Sequence, residues 1–329
     1  MELITNNHVQ FSRLRRLRSK KKVRVLFQET EIKLSDLILP IFVEEDLNHM
    51  APISTMPGIF RIPEKLLSYE IEKYVKSGIC SIIVFGISHH LDNEGSNTWN
   101  SNSIISRALR ICKNVAPEIV LISDMCFCAY TTHGHCGVLD KKNVNNDQTI
   151  LNLERQAIIL ASSGADFLAP SASMDGQVQA IRFALDRSGF YETGIISYST
   201  KFKSALYGPF REATYSNLTE NRSTYQINPM NRREAIRESL IDVEEGADAL
   251  IVKPASNFLD IIRDIRERVY LPLIGYQVSG EYSMIKFASK AGAIEEKKII
   301  RESLGSIKRA GADAIITYFA LEVAKNSLL

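Results

Sequence analysis

Eight short apolar runs, separated by longer amphipathic stretches, constrain this chain more than any other feature. The runs are Leu37–Val43, Ser81–Ile87, Ile119–Met125, Phe167–Pro170, Ile195–Thr200, Ala249–Val252, Leu273–Val278 and Ala314–Tyr318. Most are nearly continuous in Val, Ile, Leu and Phe, the pattern of parallel strands covered on both faces. Helical periodicity fills the intervals, at Glu64–Lys76, Ser103–Lys113, Ile150–Ser163, Gln177–Arg187, Asn231–Glu245, Phe258–Val269 and Glu295–Arg309. Gly-Ala-Asp occurs at Gly164–Asp166, Gly246–Asp248 and Gly311–Asp313, each copy closing a helix and opening a strand. The glycine suits a helix C-cap and the aspartate a tight turn into the strand, and the spacings fit two strand–helix units per interval. Eight alternating units predict an α/β fold, a (β/α)8 TIM barrel. An open doubly wound sheet is the alternative, but its glycine-rich phosphate loop is missing. Val43 is followed by Glu44-Glu45-Asp46, which would repel phosphate.

With 329 residues, 45% of them hydrophobic and 24% charged, the chain reads as a soluble globular protein with ample core. A net charge of +2 gives no overall pull toward nucleic acid or membrane. No apolar run reaches transmembrane length, and Met1–Phe11 is polar where a signal peptide needs its apolar centre. Cytoplasmic residence with reduced thiols is the expectation. The basic run Arg13–Arg24 is interspersed with leucines. It reads as an arm lying on a neighbouring subunit in preference to a solvated tail or a nucleic-acid patch. The expected division is an arm over residues 1–30 and one catalytic barrel over 31–329.

A barrel places its chemistry at the C-terminal ends of its strands. Directly after the third run, Cys126, Cys128 and Cys136 fall within eleven residues, with His133 and His135 between them. Clustered thiolates suit zinc, and three of them leave a fourth position for water or substrate, as in a working metal site. Disulfides are disfavoured because the five cysteines are odd in number and Cys80 and Cys112 sit in apolar runs. The histidines are weaker candidates, either second hydrogen-bond partners of the metal loop or turn residues.

Lys253 ends the Ala249–Val252 run, and Lys201 follows Ile195–Thr200, with Lys203 equivalent to it by pattern alone. Lysine is costly to bury, so two of them at a barrel mouth need a reason. Desolvation and mutual repulsion lower their pKa, and a neutral amine attacks ketones to form Schiff bases. Tyr207-Gly-Pro-Phe-Arg211 offers a guanidinium fork for a carboxylate. Arg222 and Gln226 lie in an irregular segment read as a lid over 212–230, while Ser279 and Tyr318 end the last two runs near a second carboxylate position.

Taken together, these segments resemble the porphobilinogen synthase (delta-aminolevulinic acid dehydratase) family. The resemblance runs almost end to end: Leu39-Pro-Ile-Phe-Val43, Met56-Pro-Gly58, Asp124–Gly137, Ala169-Pro-Ser171, Ser197–Arg211, Val252-Lys-Pro254, Val278-Ser-Gly-Glu281 and Ile316-Thr-Tyr318. It implies a metal-dependent lyase that condenses two 5-aminolevulinate molecules to porphobilinogen in tetrapyrrole synthesis. By matching position, Lys253 would hold the first substrate as a Schiff base and Lys201 would bind the second. Arg211, Arg222 and Gln226 would contact one carboxylate, and Ser279 and Tyr318 the other. Cys126, Cys128 and Cys136 would carry zinc, with Asp124, Ser171 and Tyr207 shaping the pocket. Family members are typically homo-octamers, and many bacterial ones bind an allosteric magnesium through a glutamate matching Glu238.

Departures from the family pattern are Ala172 and Ser173 where Asp-Met is usual, Thr224 at an auxiliary zinc ligand, Gln277 for a common histidine, and Asn228 for Asp. Two rival readings are a one-lysine aldolase barrel and a barrel that has lost catalysis. The paired lysines and the three cysteines oppose both.

Overall fold

The computed structural model describes residues 12–216, 218 and 222–326. The expected arm and lid fall partly beyond these, at residues 1–11 and at 217 and 219–221. The chain divides into two compact units, Met1–Glu31 and Ile32–Leu329. In the first, a 3-10 helix at Leu14–Arg18 precedes a short α-helix at Lys21–Leu26, and Leu14, Leu17, Val25, Leu26 and Phe27 are all exposed.

In the second unit the eight apolar runs form the eight parallel strands of a closed barrel: β1 (Leu37–Glu44), β2 (Ser81–Ile87), β3 (Val120–Met125), β4 (Phe167–Pro170), β5 (Gly194–Lys201), β6 (Ala249–Lys253), β7 (Leu273–Gln277) and β8 (Ala314–Thr317). Each pairs with the next, and β8 returns to β1 with Ile315 opposite Leu37 and Ile316 opposite Ile38. Every residue of β1, β6 and β7 is buried, as strands enclosed by barrel interior and outer helices must be.

Helices α1 (Leu67–Lys76), α2 (Ile104–Val115), α3 (Asn146–Ser162), α4 (Gln177–Arg187), α5 (Gly208–Ala213), α6 (Arg232–Glu244), α7 (Leu259–Arg266), α8 (Ser279–Lys290), α9 (Glu296–Ala310) and α10 (Ala320–Asn326) alternate with the strands. In α2 the causes are explicit. The Ser103 hydroxyl accepts from the Ser106 N–H as N-cap, and Ile104, Ile105, Ala108, Leu109 and Cys112 form one buried stripe. Each buried Ile or Leu there contributes about 1.5–3 kcal/mol. Helices α5, α8 and α10 are not among the periodic segments of the sequence. The start of α8 buries Ser279, Gly280, Glu281, Tyr282 and Ser283, a mostly small and polar set, so the continuous apolar stripe that marks other helices is absent.

The three Gly-Ala-Asp copies do more than turn the chain. Their glycines take φ of +100°, +100° and +122°, which a Cβ would strain. Each aspartate also reaches the neighbouring strand. The carboxylates of Asp166, Asp248 and Asp313 accept from the N–H groups of Leu121 (2.8 Å), Ile195 (2.7 Å) and Leu273 (2.8 Å). Carboxylate stitches therefore join β3 to β4, β5 to β6 and β7 to β8 at the rim opposite the candidate site.

Candidate active site

At the C-terminal rim, Lys201 and Lys253 stand opposite one another on the paired strands β5 and β6. They are 5% and 6% exposed, so both amines sit inside protein. Four rings enclose the Lys253 ammonium, with centroids at 4.3 Å (Tyr276), 5.0 Å (Tyr198), 5.3 Å (Phe210) and 5.4 Å (Tyr207). Burial first, and then the charge of Lys201, push its pKa down to about 7, against the opposing pull of Asp124. Lys201 Nζ donates to the Ser171 carbonyl at the end of β4 and lies 5.9 Å from the Tyr198 ring centroid. Lys203 is exposed and donates to the Ser223 hydroxyl at 2.6 Å, so geometry separates two lysines that the pattern alone could not.

Asp124, near the end of β3, faces both amines. Burial raises its carboxyl to about 6, while Lys253, Lys201 and the Ser171 hydroxyl favour the charged form. Tyr207 plays an architectural part, because its hydroxyl donates to the carbonyls of Phe202 at 2.7 Å and Lys253 at 3.3 Å. Ser279 accepts from the Phe210 N–H at 3.0 Å and donates to the Leu206 carbonyl at 3.3 Å, tying the start of α8 to α5 and the segment before it. The Tyr318 hydroxyl lies 3.2 Å from that of Tyr276.

The sulfurs of Cys126, Cys128 and Cys136 are buried and lie within 4.8 Å of one another, the first two 3.4 Å apart. The loop returns through Gly134, at φ +71°, and Gly137, where a Cβ would collide with Thr149. The other two thiols hold Cys136 well below the ordinary cysteine range, whereas Cys126 and Cys128 are raised. Among the described residues no histidine or carboxylate joins this group. His133 is half-buried with a ring nitrogen 3.1 Å from the Asn93 carbonyl, and buried His135 lies 3.1 Å from the Tyr225 hydroxyl. Three convergent soft donors with no fourth protein ligand fit a zinc ion with an open position.

Arg222 is buried, and its Nη2 donates to the Gly134 carbonyl of the cysteine loop at 2.9 Å. The charges of Cys136 and Cys128 outweigh its burial and raise its pKa. Arg211 is exposed on α5, its pKa lowered by partial burial and by the charge of Arg222. Gln226 is buried beside them. Isolated pairing of Phe202 with Ile227 fixes this segment to the end of β5.

A cavity of about 330 Å³ runs from Lys201, Tyr198 and Gln226 to Glu238 and Asp242 on α6. Burial and the charges of Asp175, Glu234 and Glu245 raise Glu238. Asp242, which the sequence did not mark, is pushed up to about 7, chiefly by burial, while accepting from the Ser197 hydroxyl at 2.5 Å. The aromatic box was also missed in part. Nothing in the sequence sets Tyr198 and Phe210 apart from core residues.

The family model for delta-aminolevulinic acid dehydratase matches residues 11–326. The chain belongs to that family. It is accordingly an enzyme of the lyase class, and the closed barrel is the family's fold. The delta-aminolevulinic acid dehydratase of Escherichia coli K12 is 58% identical over 317 residues, covering 96% of this chain and 98% of that one. That of Bacillus subtilis 168 is 46% identical over 316 residues, covering 96% and 98%. Among solved structures, delta-aminolevulinic acid dehydratase from Toxoplasma gondii ME49, in complex with its reaction product porphobilinogen, superposes with a TM-score of 0.94. It is 41% identical and covers 96% of this chain and 92% of that one.

Proposed function

We propose that this chain condenses two molecules of 5-aminolevulinate into porphobilinogen, with release of two waters, as a step of tetrapyrrole synthesis. The observation that carries the reading is the pair of buried lysines on adjacent strands, one of them with a pKa near 7, beside three convergent thiols. Neutral Lys253 attacks the ketone of the first substrate. The amine nitrogen bonds to the carbonyl carbon, the ketone oxygen leaves as water, and a protonated imine remains. The faces of Tyr276, Tyr198 and Phe210 shield that cation from water and stabilise it. Lys201 binds the second substrate. The first substrate's amine displaces the second substrate's ketone oxygen, which leaves as the second water, and a carbon of the second substrate bonds to the imine carbon, from which the Lys253 amine is then expelled and regenerated.

Arg211, Arg222 and Gln226 hold one carboxylate, the guanidinium forks offering paired donors. Ser279 and Tyr318 hold the other, and for that the Ser279 hydroxyl exchanges the Leu206 carbonyl for substrate. Asp124 and Ser171 shape the space around the amines, and Tyr207 holds the ends of the lysine strands. Cys126, Cys128 and Cys136 hold zinc, which when bound supplies a Lewis acid that activates an oxygen and orients the second substrate's amine. Glu238 is the candidate for a second, allosteric magnesium at the far end of the Lys201 cavity.

The reading extends to a cytoplasmic homo-oligomer, an octamer, that binds neither nucleic acid nor membrane. Residues 1–30 form its intersubunit arm, which the exposed leucines support. No helix among the described residues is long and apolar enough to cross a membrane. The test is porphobilinogen formation from 5-aminolevulinate by purified protein, with zinc added and then removed by chelator. Zinc-dependent product is expected. No product with any metal would overturn the proposal.

A further inference from the structure

The two lysine strands are not in simple register. Along β6, two steps separate Leu250 from Val252, but their partners on β5, Ser197 and Thr200, are three steps apart. One extra residue is therefore accommodated in β5, a β-bulge, and a bulge changes which face the following side chains take.

The contacts show the change of phase. Ser197 points outward, its hydroxyl donating to Asp242 on α6. Tyr198 points inward, toward Lys253. Ser199 points outward again, 3.1 Å from the Ser239 hydroxyl on α6. Regular alternation would then send Thr200 inward and Lys201 out against the helix. Instead Thr200 also points outward, 2.8 Å from the same Ser239 hydroxyl and 3.4 Å from the Ala235 carbonyl, and Lys201 turns into the mouth to meet Ser171. One hydroxyl on an outer helix thus holds two consecutive strand residues on the same face. Ser239 is 0% exposed, so its hydroxyl is committed to these strand contacts and not to solvent.

We propose that Ser239 is a positioning residue for the condensation: by bonding Ser199 and Thr200 together it locks the bulge in β5 and aims Lys201 into the barrel mouth. It touches no reacting atom. The inference rests on the proposed role of Lys201 as the second-substrate amine.

The experiment compares Ser239→Ala and Ser239→Thr with wild type in two assays. One is steady-state porphobilinogen formation. The other is single-turnover borohydride trapping of 5-aminolevulinate on Lys253, read by peptide mass spectrometry. With Ser239→Ala, kcat/KM should fall about tenfold or more, mainly through a raised KM for the second substrate, because small misplacements of a reacting amine cost that much. Trapping on Lys253, read on its plateau above pH 9 where the Lys201 charge does not enter, should keep its wild-type rate, and Ser239→Thr, which retains the hydroxyl, should recover most of the loss. Turnover by Ser239→Ala within about twofold of wild type, or parallel loss of Lys253 trapping, overturns the proposal. Should Ser239→Ala fail to fold, the pair Ser199→Ala with Thr200→Val removes the same lock from the strand side, and the same criteria apply. Absence of product and of adduct in wild type would refute instead the parent reading of the site.

Discussion

Removing the Lys201 charge should raise the pKa of Lys253, and the size of the change follows from the Tyr198 ring. The Lys201 and Lys253 ammonium nitrogens lie 5.9 Å and 5.0 Å from that ring's centroid. They are therefore no more than about 11 Å apart, so at an effective dielectric of about 20 the like charges repel by at least about 1.5 kcal/mol. That repulsion equals at least about one pKa unit. Burial, the larger cause, remains in Lys201→Met, so Lys253 should move from about 7 to roughly 8 or above.

The assay is the initial rate of borohydride-trapped 5-aminolevulinate on Lys253 against pH, at one substrate per subunit so that second-site binding does not enter. The sign is fixed, because the neutral amine reacts and rate must rise with pH through the pKa. In wild type the half-maximum should fall near 7, where an ordinary lysine would be deprotonated only about three times in ten thousand. In Lys201→Met the curve should shift upward, lowering the rate at pH 7 at least about fivefold and leaving the plateau above pH 9 unchanged. A wild-type half-maximum near 10, or an unshifted curve in the variant, would refute the electrostatic reasoning.

Other expectations test separate parts of the molecule. Cys126→Ala or Cys136→Ala should strip bound zinc, measured by atomic emission, and activity with it; full turnover in a metal-free variant would dismiss the zinc role. Arg222→Gln breaks the tie to the Gly134 carbonyl and should cost about 1.5–3 kcal/mol in kcat/KM, and an unchanged value would remove Arg222 from the substrate set. At Gly280 an added Cβ would lie 2.5 Å from the Leu206 carbonyl oxygen and 2.7 Å from its Cα. Gly280→Ala should therefore lower stability by about 1–3 kcal/mol in denaturant melts and displace the segment bearing Tyr207 and Arg211; a wild-type melt would contradict this. Lys203→Met should leave turnover within about twofold, since this exposed amine bonds a surface serine, and a large loss would reassign the second amine.

The barrel was legible because parallel strands buried on both faces must be written as apolar runs, and all eight runs are strands. The thiol cluster and Lys253 were legible because such residues in such places have few other uses. What the sequence concealed depends on contacts between distant residues. Nothing in Ile195–Lys201 marks a bulge, since a strand with one extra residue reads like a strand one residue longer. Lys203 lies only two residues from Lys201, and their different fates follow from that bulge and from the pairing of Phe202 with Ile227. The histidines of the cysteine loop suggested metal chemistry, yet one bonds a carbonyl and the other a tyrosine. Asp166, Asp248 and Asp313 read as turn residues because the strand each one reaches lies some 40 to 50 residues away.

Those three aspartates give the wall of the barrel an uneven compliance. Seams β3/β4, β5/β6 and β7/β8 carry a carboxylate clamp in addition to their backbone ladders, whereas among the described residues β4/β5 and β6/β7 have no such clamp. Thermal breathing is then concentrated between clamped pairs, not within them. Lys201 and Lys253 share one pair, so their separation is held while they ride together. The cysteine loop and Ser171 extend from another pair, Ser279 and Tyr318 from the third. Approach and withdrawal of amines, thiols and carboxylate-binding groups would thus be a movement of three stiff two-stranded bodies, each keeping its own chemistry in register.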